Sequence, residues 1–180
     1  MNFKRMSIEG LWEITPRIFE DERGLFFESY SKKVFEENGL DVSFVQDNQS
    51  FSLKNVLRGL HFQLPPFAQG KLVSVAKGRV LDVAVDLRKE SLTFGKYEIF
   101  DINDKIRNMV YIPEGFAHGF LALEETILCY KCTNLYNKAS EGGIIWNDPA
   151  LKIDWGIKDP IVSSKDTELK TFKDYINYYN

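Results

Sequence analysis

The chain has 180 residues and a net charge of −3, with its charged residues spread along its length; it lacks the continuous basic stripe that follows a phosphate backbone, which excludes nucleic acid as a partner. A core of this size already hides roughly 70% of the surface that the unfolded chain exposes, so the sequence reads as one domain over residues 1–180 with no need of a staple. The stretch MNFKRMSIEGLWEI lacks the apolar core of a secretory signal, and no run approaches the roughly 20 apolar residues that cross a bilayer, so a cytoplasmic protein without a membrane partner is expected.

In chain order, Ser31 is placed to cap a short helix over SKKVFEENG that stops at Gly39. The run VLRGLHFQ reads as a strand, in which period two puts Arg58, Leu60 and Phe62 on one face and Gly59, His61 and Gln63 on the other. KLVSVAKGRVLDVAVDL holds two alternating runs around Ala76-Lys77-Gly78-Arg79, which predicts a hairpin. Asn103-Asp104, Pro113-Glu114-Gly115 and Glu141-Gly142-Gly143 mark further turns, and Ser164 could open a second helix over KDTELKTFKDYI. Many short strands with helices only near the ends predict an all-β sandwich or barrel of the jelly-roll type, whose interior can hold a ligand.

Polar side chains fall on strand faces shared with apolar ones. Lys71 shares its face with Val73 and Val75, and Tyr130 shares its face with Leu128 and Cys132. A charged or phenolic group in a barrel interior is costly unless paired or used. The only two histidines, His61 in RGLHFQ and His118 in EGFAHGF, sit among glycines and aromatics. Histidine is suited to take a proton at neutral pH, tyrosine to return one, and lysine or a second imidazole to stabilise an enolate oxygen. A metal-dependent barrel would need more histidines, usually as a His-x-His pair, so no metal is expected. Cys129 and Cys132 form a C-x-x-C within the strand-like ILCYKCTNLY. They have neither the helix N-terminus of a redox pair nor a second zinc-ligand pair, so they read as small inert hydrophobes.

DERGLFFESY, FVQDNQS, VLRGLHFQ, AQGKLVSVAKGRVLDVAVDLRKES, TFGKY, YIPEGFAHGFLAL, YKCTNLYN, IIWNDPALKIDW and PIVSSKD, in this order between about Ile14 and Asp174, together resemble the dTDP-4-dehydrorhamnose 3,5-epimerase family. One departure is Gln49, where many members carry histidine. The resemblance implies an all-β cupin jelly-roll, a double-stranded β-helix, with short peripheral helices. It implies inversion of C3 and C5 of dTDP-4-dehydro-6-deoxy-D-glucose through enolates, in L-rhamnose biosynthesis, with neither metal nor redox cofactor.

By the same resemblance His61 is the base, Asp166 the carboxylate behind it, and Tyr130 the acid on the opposite face, while Lys71 and His118 hold the enolate oxygen. Arg23, Glu28, Gln46, Asn48 and Arg58 are expected to bind the nucleotide and its diphosphate. Tyr136 would stack on thymine, with Glu141 and Lys165 as further substrate contacts. A homodimer with an exchanged N-terminal strand is implied, Arg23 and Glu28 reaching the partner's site. Other readings are a 3- or 5-mono-epimerase of another deoxysugar route, a non-catalytic nucleotide-sugar-binding cupin, or a metal-dependent dioxygenase or isomerase.

Overall fold

A computed structural model of the chain describes residues 1–179. Two sheets face each other. The first runs, edge to edge, through β1 (Asn2–Arg5), β2 (Trp12–Thr15), β10 (Met109–Ile112), β7 (Lys71–Lys77), β12 (Thr126–Cys132) and β5 (Gln46–Ser52). The second runs through β13 (Glu141–Gly143), β6 (Val56–Gln63), β11 (Phe116–Ala122), β8 (Arg79–Asp86) and β9 (Tyr97–Asn103), with β14 (Ile161–Val162) parallel to β6. An exposed hairpin, β3 (Ile18–Asp21) with β4 (Gly24–Phe27), stands apart from both. This is the all-β jelly-roll that the strand pattern and the resemblance predict. Among the described residues no helix is long and apolar enough to cross a membrane.

Alternation decides what lies between the sheets. Val73 and Val75 of β7, Val110 and Ile112 of β10 and Leu128 of β12 meet Val80 and Ala84 of β8 and Phe116 and Phe120 of β11 in one buried cluster. Each such aliphatic side chain stabilises the fold by roughly 1.5–3 kcal/mol when fully buried. The outer face of the second sheet is covered by α3 (Phe172–Tyr179) and the preceding loops, with Leu57, Leu60, Phe62, Trp155, Phe172 and Tyr175 packed together.

Five sequence expectations are corrected. Gly78 is not the tip of a hairpin: β7 pairs with β10 and β12, while β8 pairs with β9 and β11, so the chain crosses here from one sheet to the other. Both runs bury their apolar faces in the same sandwich, which a two-strand pattern cannot distinguish from a hairpin. Glu141-Gly142-Gly143 is an edge strand beside β6, its glycines lying under Phe62 and Leu169. The second helix is two pieces, α2 (Ser164–Thr167) and α3, and the residue that caps α2 is Ser163, whose side chain accepts from the Asp166 amide. Ser31 does precede α1 (Lys32–Glu37), but its side chain makes no capping bond.

The fifth correction matters most for the site. Strict alternation separates Arg58 from His61, yet His118 pairs with His61 and Phe120 with Arg58, so both turn to the interior while Leu60 and Phe62 turn outward. The register slips at Gly59-Leu60, where two residues of β6 stand opposite Gly119 of β11. Gly59 has φ +111°, and a Cβ there would lie 2.6 Å from the Gly119 Cα and 2.7 Å from the His118 carbonyl. Only glycine accommodates both that backbone and that approach.

Candidate active site

His61 projects from β6 beyond this bulge, and its Nε2 lies 2.7 Å from the Asp166 Oδ1. A carboxylate accepts, so the ring proton sits on Nε2 and Nδ1 keeps its lone pair. Asp166 is held in turn: α2 places it under the Ser163 cap, and its Oδ2 accepts from the Gly59 amide at 3.2 Å. Burial opposes the Asp166 charge, but the His61 hydrogen bond and charge, the Gly59 amide and Lys165 outweigh it and keep the carboxyl below its ordinary range. The bulge glycine thus both aims His61 and supplies a donor to the residue behind it.

Tyr130 and Lys71 come from the opposite sheet, on β12 and β7, where Lys71 pairs with Cys132 and Tyr130 with Val73. The Lys71 Nζ lies 5.9 Å from the Tyr130 ring centre. Burial raises the Tyr130 phenol above its usual range, with Cys132 and Glu141 acting in the same sense and Arg58 against it. The phenol therefore holds its proton through neutral pH. Burial lowers Lys71, against the nearby Cys132, Asp82 and Glu141. His118, directly beside His61 on β11, is buried, and its Nε2 lies 2.7 Å from the Asp82 Oδ2. Burial pushes the His118 imidazole down, further lowered by Lys71 and His61 and opposed by Asp82.

A cavity of about 280 Å³ between the sheets is lined by His61, Lys71, Tyr130, Gln46, Asn48, Tyr136 and Glu141. Gln46 and Asn48 reach it because alternation on β5 turns them inward, where the Gln46 Nε2 donates to the Asn48 Oδ1 at 3.0 Å. At the mouth, Tyr136 is exposed and donates to the Glu141 Oε2 at 3.1 Å, while the Lys165 Nζ donates to Oε1 at 2.7 Å. A second recess, of about 410 Å³, adjoins on the far side of His61 and brings in Arg58, Lys165 and Asp166. Arg58 is steadied by the Ser52 Oγ and the Phe51 carbonyl, each at 3.1 Å. Two cations at that recess suit an anionic group such as a diphosphate.

Arg23 and Glu28 are not brought to either recess. Arg23 sits on the exposed β3–β4 hairpin, paired with Asp21, and Glu28 follows β4 on the surface. Asp82 is the charged group that reading the sequence overlooks; its one signal is a carboxylate between Val80 and Ala84 on the inward side of RVLDVAVDL. Cys129 and Cys132 lie on opposite faces of β12 and are both free. Among the described residues no three His, Cys, Asp or Glu side chains are grouped to hold a metal ion.

The chain is also similar to known proteins over nearly its whole length. The family model for dTDP-4-dehydrorhamnose 3,5-epimerase matches residues 5–174. A Methanothermobacter thermautotrophicus protein of that name is 49% identical over 176 residues, covering 96% of this chain and 95% of its own. The crystal structure of the Elizabethkingia anophelis dTDP-4-dehydrorhamnose 3,5-epimerase superposes with a TM-score of 0.92 at 49% identity, over 97% of both chains. A Legionella pneumophila 3,5-epimerase, solved in complex with dTDP-4-keto-L-rhamnose, gives 0.92 at 43% identity over 99% of this chain and 94% of its own. With a family model spanning nearly the whole sequence and relatives close to half identical, the chain belongs to the dTDP-4-dehydrorhamnose 3,5-epimerase family.

Proposed function

We propose that the protein inverts C3 and C5 of dTDP-4-dehydro-6-deoxy-D-glucose to give dTDP-4-dehydro-L-rhamnose, with His61 and Tyr130 on opposite sides of the sugar. The C4 ketone acidifies the protons on both neighbouring carbons, because the carbanion left behind spreads onto the ketone oxygen as an enolate. His61 takes the proton at Nδ1, and Asp166 stabilises the imidazolium that forms. Tyr130 returns a proton from the other face, while Lys71 and His118 hold the enolate oxygen. The observation that carries this reading is the position of the base and the phenol on facing sheets, lining one cavity.

Arg58 and Lys165 are assigned to the diphosphate, Tyr136 to stacking on thymine, and Gln46, Asn48 and Glu141 to the rest of the nucleotide sugar. We assign the enzyme to L-rhamnose biosynthesis in the cytoplasm, acting as one domain and as a homodimer with an exchanged N-terminal strand. Two features favour the dimer: β1 is the edge strand of its sheet, and the Arg23 hairpin stands away from its own cavity. His61→Ala is expected to abolish epimerisation while dTDP binding, measured by calorimetry, stays largely intact. Full turnover by that variant would refute the assignment of the base.

A further inference from the structure

Asp82 projects from β8 into the core between the inward-facing Val80 and Ala84, and it is fully buried. Its Oδ2 takes the hydrogen bond of the His118 Nε2, whereas its Oδ1 is buried with no hydrogen-bond partner among the described residues. An orphaned carboxylate oxygen in such surroundings is costly, so the charge must be offset by cations nearby. The groups facing this corner are His118 of β11, Lys71 of β7, His61 of β6, Tyr130 and Cys132 of β12 and Glu141 of β13. Of these, Lys71 makes no hydrogen bond to another described residue that would fix its ammonium, and the Asp82 charge favours its protonated form.

The geometry also constrains His118. With Nε2 bound to Asp82, an uncharged ring keeps its proton on that nitrogen and leaves Nδ1 a bare acceptor. Such a ring offers nothing to an oxyanion; it donates from Nδ1 only as an imidazolium. A carboxylate on the far nitrogen stabilises that state, as Asp166 does for His61 one strand away.

We propose that Asp82 is a positioning residue of the enolate-holding half of the site, fixing the His118 ring through Oδ2 and supplying the counter-charge that lets His118 and Lys71 be cationic together as the enolate oxygen develops. This rests on the roles given to Lys71 and His118 above. Asp82→Asn keeps the shape and an acceptor but removes the charge. It is expected to lower kcat roughly 10- to 100-fold, the range known for carboxylates that orient metal-bound histidines from behind. KM and dTDP affinity should stay within about twofold, because the loss falls on the transition state. The alkaline limb of the kcat profile should move to lower pH, since His118 and Lys71 both give up their protons more readily without the negative charge.

An unchanged kcat and alkaline limb would overturn the proposal, and so would a fall in kcat matched by loss of dTDP binding, which marks a merely structural carboxylate. Because the substitution lies in the core, nitrogen-15 NMR of the unaltered protein provides a second arm. The His118 ring should carry its proton on Nε2 across the neutral range, and a bare Nε2 with the proton on Nδ1 would contradict the assignment. Should the unaltered protein fail to epimerise the keto sugar, the functional reading falls, yet the ring spectrum still decides the role of Asp82.

Discussion

His61, Lys71 and Tyr130 are titratable side chains on largely apolar strand faces that line one cavity, and burying such groups is costly enough to signal use. Their grouping was not legible from alternation, since period two says which side of a strand a residue takes and nothing about which strand lies opposite. The resemblance supplied the partners, and the 2.7 Å contact between His61 and Asp166, 105 positions apart in sequence, gives that pairing a physical basis. Asp82 has no such signature, because a single carboxylate in a valine-rich run resembles a surface position until the sheet is closed. The sharpest consequence at this scale concerns the phenol. Tyr130→Phe is expected to lower the rate of inversion roughly 10²- to 10⁴-fold, the usual worth of a positioned acid. Deuterium exchange from the His61 side should survive, read by NMR of the sugar protons in heavy water. Loss of all exchange would move Tyr130 from proton donor to binding group.

At the level of elements, the strands were predictable and their connections were not. The runs flanking Gly78 are both alternating and both apolar on one side, so local pattern favours a hairpin; the corner appears only because each run finds its partners elsewhere. Gly59 is the opposite case, a single residue that spoils alternation and turns Arg58 and His61 to the same side. Glycine inside a strand is itself a bulge signal, and a bulge at Gly59 is what alternation alone leaves out. Gly59→Ala is therefore expected to cost more than about 2 kcal/mol of stability, through the left-handed backbone and the clash with Gly119. It should also depress activity in whatever fraction stays folded, because the same segment aims His61 and donates to Asp166. Urea denaturation with a parallel assay checks this, and an alanine variant of native stability and rate would show that the bulge is incidental.

For the whole molecule, Arg23 on its remote hairpin makes the dimer a functional question. If its guanidinium completes the neighbour's site, a chain carrying Arg23→Ala and a chain carrying His61→Ala, each nearly inactive alone, should regain activity when unfolded together and refolded as mixed dimers. Mixed dimers no more active than their parents would confine each site to one chain. Beyond assembly, the central claim is that one cavity serves both carbons beside the ketone, with a base on one sheet and an acid on the other. The direct measurement is incubation with dTDP-4-dehydro-6-deoxy-D-glucose in deuterated water, followed by counting the labelled carbons of the product. Deuterium at both C3 and C5, with both centres inverted, is the predicted result; label at a single carbon would contradict it and make the protein a mono-epimerase.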